Sequence, residues 1–139
     1  MPGLIDAHLH LESSFLTPSS LASALISHGT TSIIIDPHEI ANVLGIKGVE
    51  YILKASEAIP LNVFMLVPSC VPATHLETAG GKIGIREIRR LLKHPRVIGL
   101  AEMMNYPGVI TANDNVLKKD YLRWSSRLTN RWTCPYAIW

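Results

Sequence analysis

Two histidines one residue apart, His8 and His10, close a short apolar approach through Leu4 and Ile5 near the start of the chain. Side chains on a β-strand alternate faces, so the two imidazoles point the same way. Neutral imidazole nitrogens on one side of a strand end suit a divalent metal such as Zn, Fe, Mn or Ni. A bare His-x-His pair is also at home as solvated or core histidines, so its setting has to decide. Glu102 follows Val97-Ile98-Gly99-Leu100-Ala101, a run that reads as buried. A buried carboxylate is costly unless a cation or a metal pairs with it. A salt bridge, or the cap of a following helix, would answer equally well. A centre that activates water needs such neutral and anionic donors together with an open position.

Further groups share the same kind of position. Asp36 and His38 stand in the polar turn Asp36-Pro37-His38-Glu39, where they could add a ligand or a proton-transfer group. The favoured reading of Asp36 is plainer: it satisfies backbone donors ahead of the next helix. Ser69 and Cys70 lie in Pro68-Ser69-Cys70-Val71-Pro72 and are candidates for a substrate pocket. Cys70 reads as a small buried apolar group rather than a nucleophile, because no base is fixed beside it. His28, His75 and His94 fall at helix ends or in a loop and read as solvated, and Met103-Met104 read as core or pocket lining.

The elements that must position these groups alternate. A short buried strand carries the histidine pair. Thr17 caps a helix with Pro18 at its first position, Leu21, Ala24, Leu25 and His28 mark its face, and Gly29 stops it. Thr30 to Ile35 is a strand apolar on both faces, as a strand covered on both sides should be. A helical pattern from Ile40 to Leu53 is broken by Gly45 and Gly48 and closed by Pro60. Asn62 to Val67 is a third buried strand, and residues 73–81 form a polar, glycine-rich loop. Ile85, Ile88, Leu91 and Leu92 mark another helix, and Arg96 to Ala101 is a fourth strand. Four alternations with short connections predict a parallel sheet with right-handed crossovers. His8, His10, Asp36, His38, Ser69, Cys70 and Glu102 all then fall at C-terminal strand ends, where an α/β barrel keeps its chemistry. The fold class predicted is α/β, a partial (β/α)8 TIM-like barrel of about four units with two strand edges open.

Composition bounds the alternatives. With 139 residues, 47% hydrophobic and 17% charged, the chain suits one globular domain with a real core. A formal net charge of +2 is too small to imply nucleic acid or an acidic membrane surface as partner. No apolar run approaches the roughly 20 residues of a membrane span. Cys70 and Cys134 make no disulfide framework, and with no signal-peptide pattern a cytoplasmic location is expected.

Composition shifts near the end. Trp124, Trp132 and Trp139 are interleaved with Arg123, Arg127 and Arg131, and Leu122, Leu128 and Ile138 keep no consistent period. Residues 1–119 therefore read as the barrel portion and 120–139 as an unrelated tail, such as a frameshift produces, or a disordered one.

Four segments carry a resemblance. Pro2-Gly3-Leu4-Ile5-Asp6-Ala7-His8-Leu9-His10 resembles the metal-binding first strand of the amidohydrolase superfamily. Extended through Leu11-Glu12-Ser13-Ser14, and joined by Asp36-Pro37-His38-Glu39-Ile40-Ala41-Asn42-Val43, Pro68-Ser69-Cys70-Val71-Pro72-Ala73 and the segment from Gly99 to Val109, it resembles the bacterial and archaeal adenine deaminase family. The likeness runs from Pro2 to about Lys119. It implies hydrolytic deamination of adenine to hypoxanthine and ammonia, at a binuclear centre of Mn2+ or Fe2+, with Zn2+ as an alternative. It implies His8 and His10 as the first two metal ligands and Glu102 as the carboxylate bridging the ions. It also implies purine salvage and, for the intact family, a homo-oligomer. The family further uses an upstream β domain, histidines on the fifth and sixth strands, and a proton-transferring aspartate on the eighth. None of these is matched here, which predicts an N-terminal half that is inactive alone. An inactive remnant, or a partner module holding a single metal ion, is the alternative.

Overall fold

A computed structural model describes residues 2–125 of the chain. The elements run β1 (Leu4–Leu9), a 3-10 turn (Glu12–Ser14), α1 (Pro18–Ser27), β2 (Thr30–Ile35), α2 (His38–Leu44), α3 (Ile46–Ala55), β3 (Asn62–Val67), α4 (Ile85–Leu91), β4 (Val97–Leu100), α5 (Tyr106–Ile110) and α6 (Asp114–Ser125). The four strands form one sheet in the order β1-β2-β3-β4, every neighbouring pair parallel. Parallel strands require crossovers, and the intervening helices supply them. This is the layout of a partial TIM-type barrel, with β1 and β4 at the two edges of the described sheet. Every strand therefore points its C-terminal end the same way.

The middle strands hold the core. Ile33 and Ile35 of β2 and Met65 and Val67 of β3 are fully buried, packed with Val49 and Ile52 of α3 and Ile88 of α4. Ile33 and Ile35, like Met65 and Val67, alternate onto the helix-covered face; on the other face Ile34 is half-buried and Phe64 37% exposed, so the cover expected on both sides is met on one. β1 departs from the buried strand expected of it: Leu4 is 56% and Ile5 66% exposed. An apolar sequence shows that a strand wants cover; it does not show which strand has a neighbour on only one side.

The helix starts follow their capping residues. Thr17 Oγ1 accepts from Ser20 N at 3.3 Å, and Pro18 opens α1. The buried face of α1 is rotated from the one expected: Leu21 and Ala22 are buried and Leu25 and Ile26 pack on the core, whereas Ala24 is exposed. Gly45 separates α2 from α3 with φ at 60° and ψ at −141°. Gly48 does not break the pattern; it is a buried residue inside α3, facing Ile40, where an added Cβ would meet the Ile40 carbonyl at 2.8 Å. Helix α2 also begins at His38, two residues before the apolar pattern starts. No period announced α5 or α6. Asn105 caps α5 by accepting from Gly108 N at 3.0 Å, and α6 crosses residue 120 without interruption. Trp132, Trp139, Cys134 and most of the proposed tail lie outside the described residues.

The backbone of Gly45 is open only to glycine, and it sets the angle between α2 and α3. Gly45→Ala should cost about 1–3 kcal/mol of stability, the usual toll of a side chain forced into such a region. Urea unfolding of the variant beside the parent measures it; an unchanged midpoint would show that the turn relaxes freely.

Candidate metal centre

The donors assemble from three strand ends. His8 lies in β1 and His10 one residue beyond it, their ring centroids 5.0 Å apart, so the alternation inferred from His-x-His holds. Asp36 follows β2, and Glu102 follows β4 by one residue after Ala101. One ligand atom from each of His8, His10, Asp36 and Glu102 lies within 4.8 Å of the others. Asp36 is 1% exposed, Glu102 and His10 are half-buried and His8 is exposed. The cluster is closed on one side and open on the other.

Main-chain geometry aims one of the rings. His10 Nδ1 lies 2.9 Å from the main-chain oxygen of Asp36. A carbonyl can only accept, so Nδ1 carries the proton and the Nε2 lone pair is left for a ligand. Metal-binding histidines are usually held by such a bond through the second nitrogen. Glu39 Oε2 stands 3.6 Å from the same Nδ1, and Glu39 Oε1 accepts from Ser13 Oγ at 2.9 Å.

The favoured reading of Asp36 as a helix cap is overturned. Helix α2 has no side-chain cap from its own N-cap residue, Pro37. Its donor at Ile40 N is taken instead by Glu12 Oε1, at 3.1 Å, from 28 residues upstream. Asp36 is thereby free to join the donor cluster. Its Oδ1 lies 2.5 Å from His38 Nδ1, in contact but off the line of a hydrogen bond. Asp36 Oδ1 and both ring nitrogens of His38 are buried without any hydrogen-bond partner. Unpaired buried polar atoms of this kind are rare and ask for an ion or water. The donor chemistry, two imidazoles and two carboxylates, fits a divalent cation.

The other candidates serve the frame. Ser69 is fully buried, and its Oγ donates to the main-chain oxygen of Glu102 at 2.6 Å, joining the ends of β3 and β4. Cys70 is buried, with Sγ 3.1 Å from Met103 Sδ and 3.2 Å from Ser69 Oγ, and it does not enter the donor group. His28 and His75 are exposed, and His94 Nδ1 accepts from Arg96 N at 3.2 Å.

Two functional neighbours escaped the sequence reading. Glu12 is one; burial holds its carboxyl above the ordinary range, an effect partly offset by the backbone amides it accepts from. Lys119 is the other. Its Nζ donates to the carbonyls of Ser69 and Ile83, each at 2.9 Å, and burial pushes its pKa below the ordinary 10.5. Neither residue belongs to a periodic pattern, and their partners lie 28 and 36–50 positions away, so no local signal existed.

Residues 1–126 match the model of the amidohydrolase family. The chain belongs to this family. Among curated relatives, this amidohydrolase chain is 57% identical over 118 residues to an adenine deaminase of Desulfatibacillum aliphaticivorans, covering 85% of the chain and 21% of that protein. It is equally similar, by the same measures, to an adenine deaminase of Methanothrix thermoacetophila. With the adenine deaminase of Kosmotoga olearia it shares 51% over 125 residues, 88% of the chain and 22% of the relative. The chain thus spans about a fifth of the length of the relatives it matches. Among the described residues no helix is long and apolar enough to cross a membrane.

Lys119 generates a pH prediction. Its folded-state pKa lies below the unfolded value, so the unfolded chain binds this proton more tightly. Stability should therefore rise as pH climbs through the lowered pKa, levelling above 10.5. Lys119→Met should remove that rise in urea unfolding measured from neutral pH upward. An identical pH slope in parent and variant would place the lysine in solvent.

Proposed function

We propose that this chain is the part of an adenine deaminase that supplies the first metal donors, the overall reaction being hydrolysis of adenine to hypoxanthine and ammonia. The observation that carries the reading is the convergence of His8, His10 and Glu102 at the C-terminal edge of the sheet, their ligand atoms within 4.8 Å. The similarity to adenine deaminases supports adenine as the substrate. Bound there, a divalent ion supplies Lewis-acid activation of water for attack on the purine carbon bearing the amino group. We assign manganese or iron, with zinc as an alternative, because mixed imidazole and carboxylate donors suit all three. A role in purine salvage, in the cytoplasm and as a homo-oligomer, accompanies the same reading.

The protein's own groups do the positioning. The Asp36 carbonyl fixes His10 in the tautomer that leaves the Nε2 lone pair available. Ser69 holds the Glu102 main chain, so the carboxylate leaves the sheet from a fixed point. Lys119 ties the Ser69 carbonyl to the Ile83 carbonyl and so steadies that tether from behind. Glu12 pins the start of α2 beneath the turn that carries Asp36 and His38. In this account Asp36 and His38 border the substrate side, whereas Ser69 and Cys70 act behind it.

A chimera tests the reading. Residues 2–119 would replace the matching segment of the Desulfatibacillum aliphaticivorans adenine deaminase, and hypoxanthine release would be followed. The chimera should deaminate adenine, and Glu102→Gln within it should lose at least roughly the 10–100-fold that even an outer-shell partner is worth. A chimera that loads metal but leaves adenine untouched, or a fully active Glu102→Gln variant, would refute the assignment.

A further inference from the structure

We propose that Asp36, oriented by His38, is a fourth protein donor to the first metal ion, so that this chain alone supplies two imidazoles and two carboxylates to it. The inference rests on the metal reading above and goes beyond its three ligands. Asp36 stands at the end of β2, between the histidines after β1 and the carboxylate after β4, and its ligand atom is within 4.8 Å of the other three.

Burial makes the case. Asp36 is 1% exposed and its Oδ1 has no hydrogen-bond partner. A carboxylate in that state needs a positive charge beside it. Two candidates exist among the groups around it. One is a protonated His38, whose Nδ1 touches Oδ1 at 2.5 Å. That contact is misaligned, and His38 Nε2 is buried without a partner as well, so a doubly protonated ring would leave a second donor orphaned. The other is a cation in the cluster. Asp36 and Glu102 together carry two negative charges, which one divalent ion balances while His8 and His10 stay neutral. His38 then serves as a positioning residue, its ring braced against the carboxylate and 6.1 Å from the ring of His10. One residue thereby acts twice on the ion: the Asp36 carbonyl sets His10, and its side chain joins the donors.

The two explanations predict opposite signs, which thermal unfolding of the 139-residue chain can read with and without Mn2+ or Zn2+. If Asp36 is a ligand, Asp36→Asn relieves carboxylate repulsion, so the metal-free melting temperature holds or rises. The gain on adding metal then shrinks, more for Mn2+ than for Zn2+, because losing a carboxylate penalises the harder ion. His38→Gln should keep part of the metal gain. If Asp36 merely pairs with His38, Asp36→Asn lowers the metal-free melting temperature and leaves the metal gain whole, which overturns the proposal. His10→Ala is the control for the underlying reading. Parent gain lost in His10→Ala but intact in Asp36→Asn defeats the fourth donor alone; no gain in the parent with either ion defeats the metal site and the proposal together.

Discussion

Negative charge taken out of water has to be matched, and that constraint governs this structure. Asp36 is buried and Glu102 half-buried, and their ligand atoms crowd within 4.8 Å of two imidazoles. No arginine or lysine ion pair of the described chain reaches them; the pairs present involve Glu39, Glu50 and Asp114, besides the contact between His38 and Asp36. The polar edge of the sheet is thus unbalanced as a protein surface and balanced as a cation site. The rest of the fold can be understood as the apparatus that holds this imbalance in place.

The apparatus works by long-range ties between strand ends. β1 and β2 are joined by the bond from His10 to the Asp36 carbonyl, and β3 and β4 by the bond from Ser69 to the Glu102 carbonyl. Glu12 reaches across to cap α2, and Lys119 reaches back from α6 to the end of β3. Each tie satisfies a main-chain group that would otherwise cost stability, and each also fixes the origin of a donor side chain. Stability and function are served by the same hydrogen bonds, so the site is built on rigid elements rather than on free loops.

Much of this was legible from residue order. β2 and β3 were readable because both faces are apolar, α1 because Thr17 and Pro18 mark its start. The location of His8, His10, Asp36 and Glu102 at one edge followed from strand alternation alone. What stayed hidden was non-local. The exposure of Leu4 and Ile5 depends on which strand lies at the margin. The place of Gly48 inside a helix depends on close packing against Ile40. Asp36 looked like a cap because caps are local and common; that α2 is capped from Glu12 could be known only after the chain had folded. α5 and α6 were missed because one is very short and the other mostly polar, leaving no apolar period to follow.

Direct observation of the ion tests the central claim best. Crystals of the chain grown with Mn2+ or Zn2+ would be measured by anomalous diffraction at the metal edge. The account predicts a peak bonded to nitrogens of His8 and His10 and to a Glu102 oxygen, at about 2.0–2.2 Å where the ion is Zn2+. A peak bound elsewhere, for instance at His75 or His94, or none at saturating metal, would contradict it.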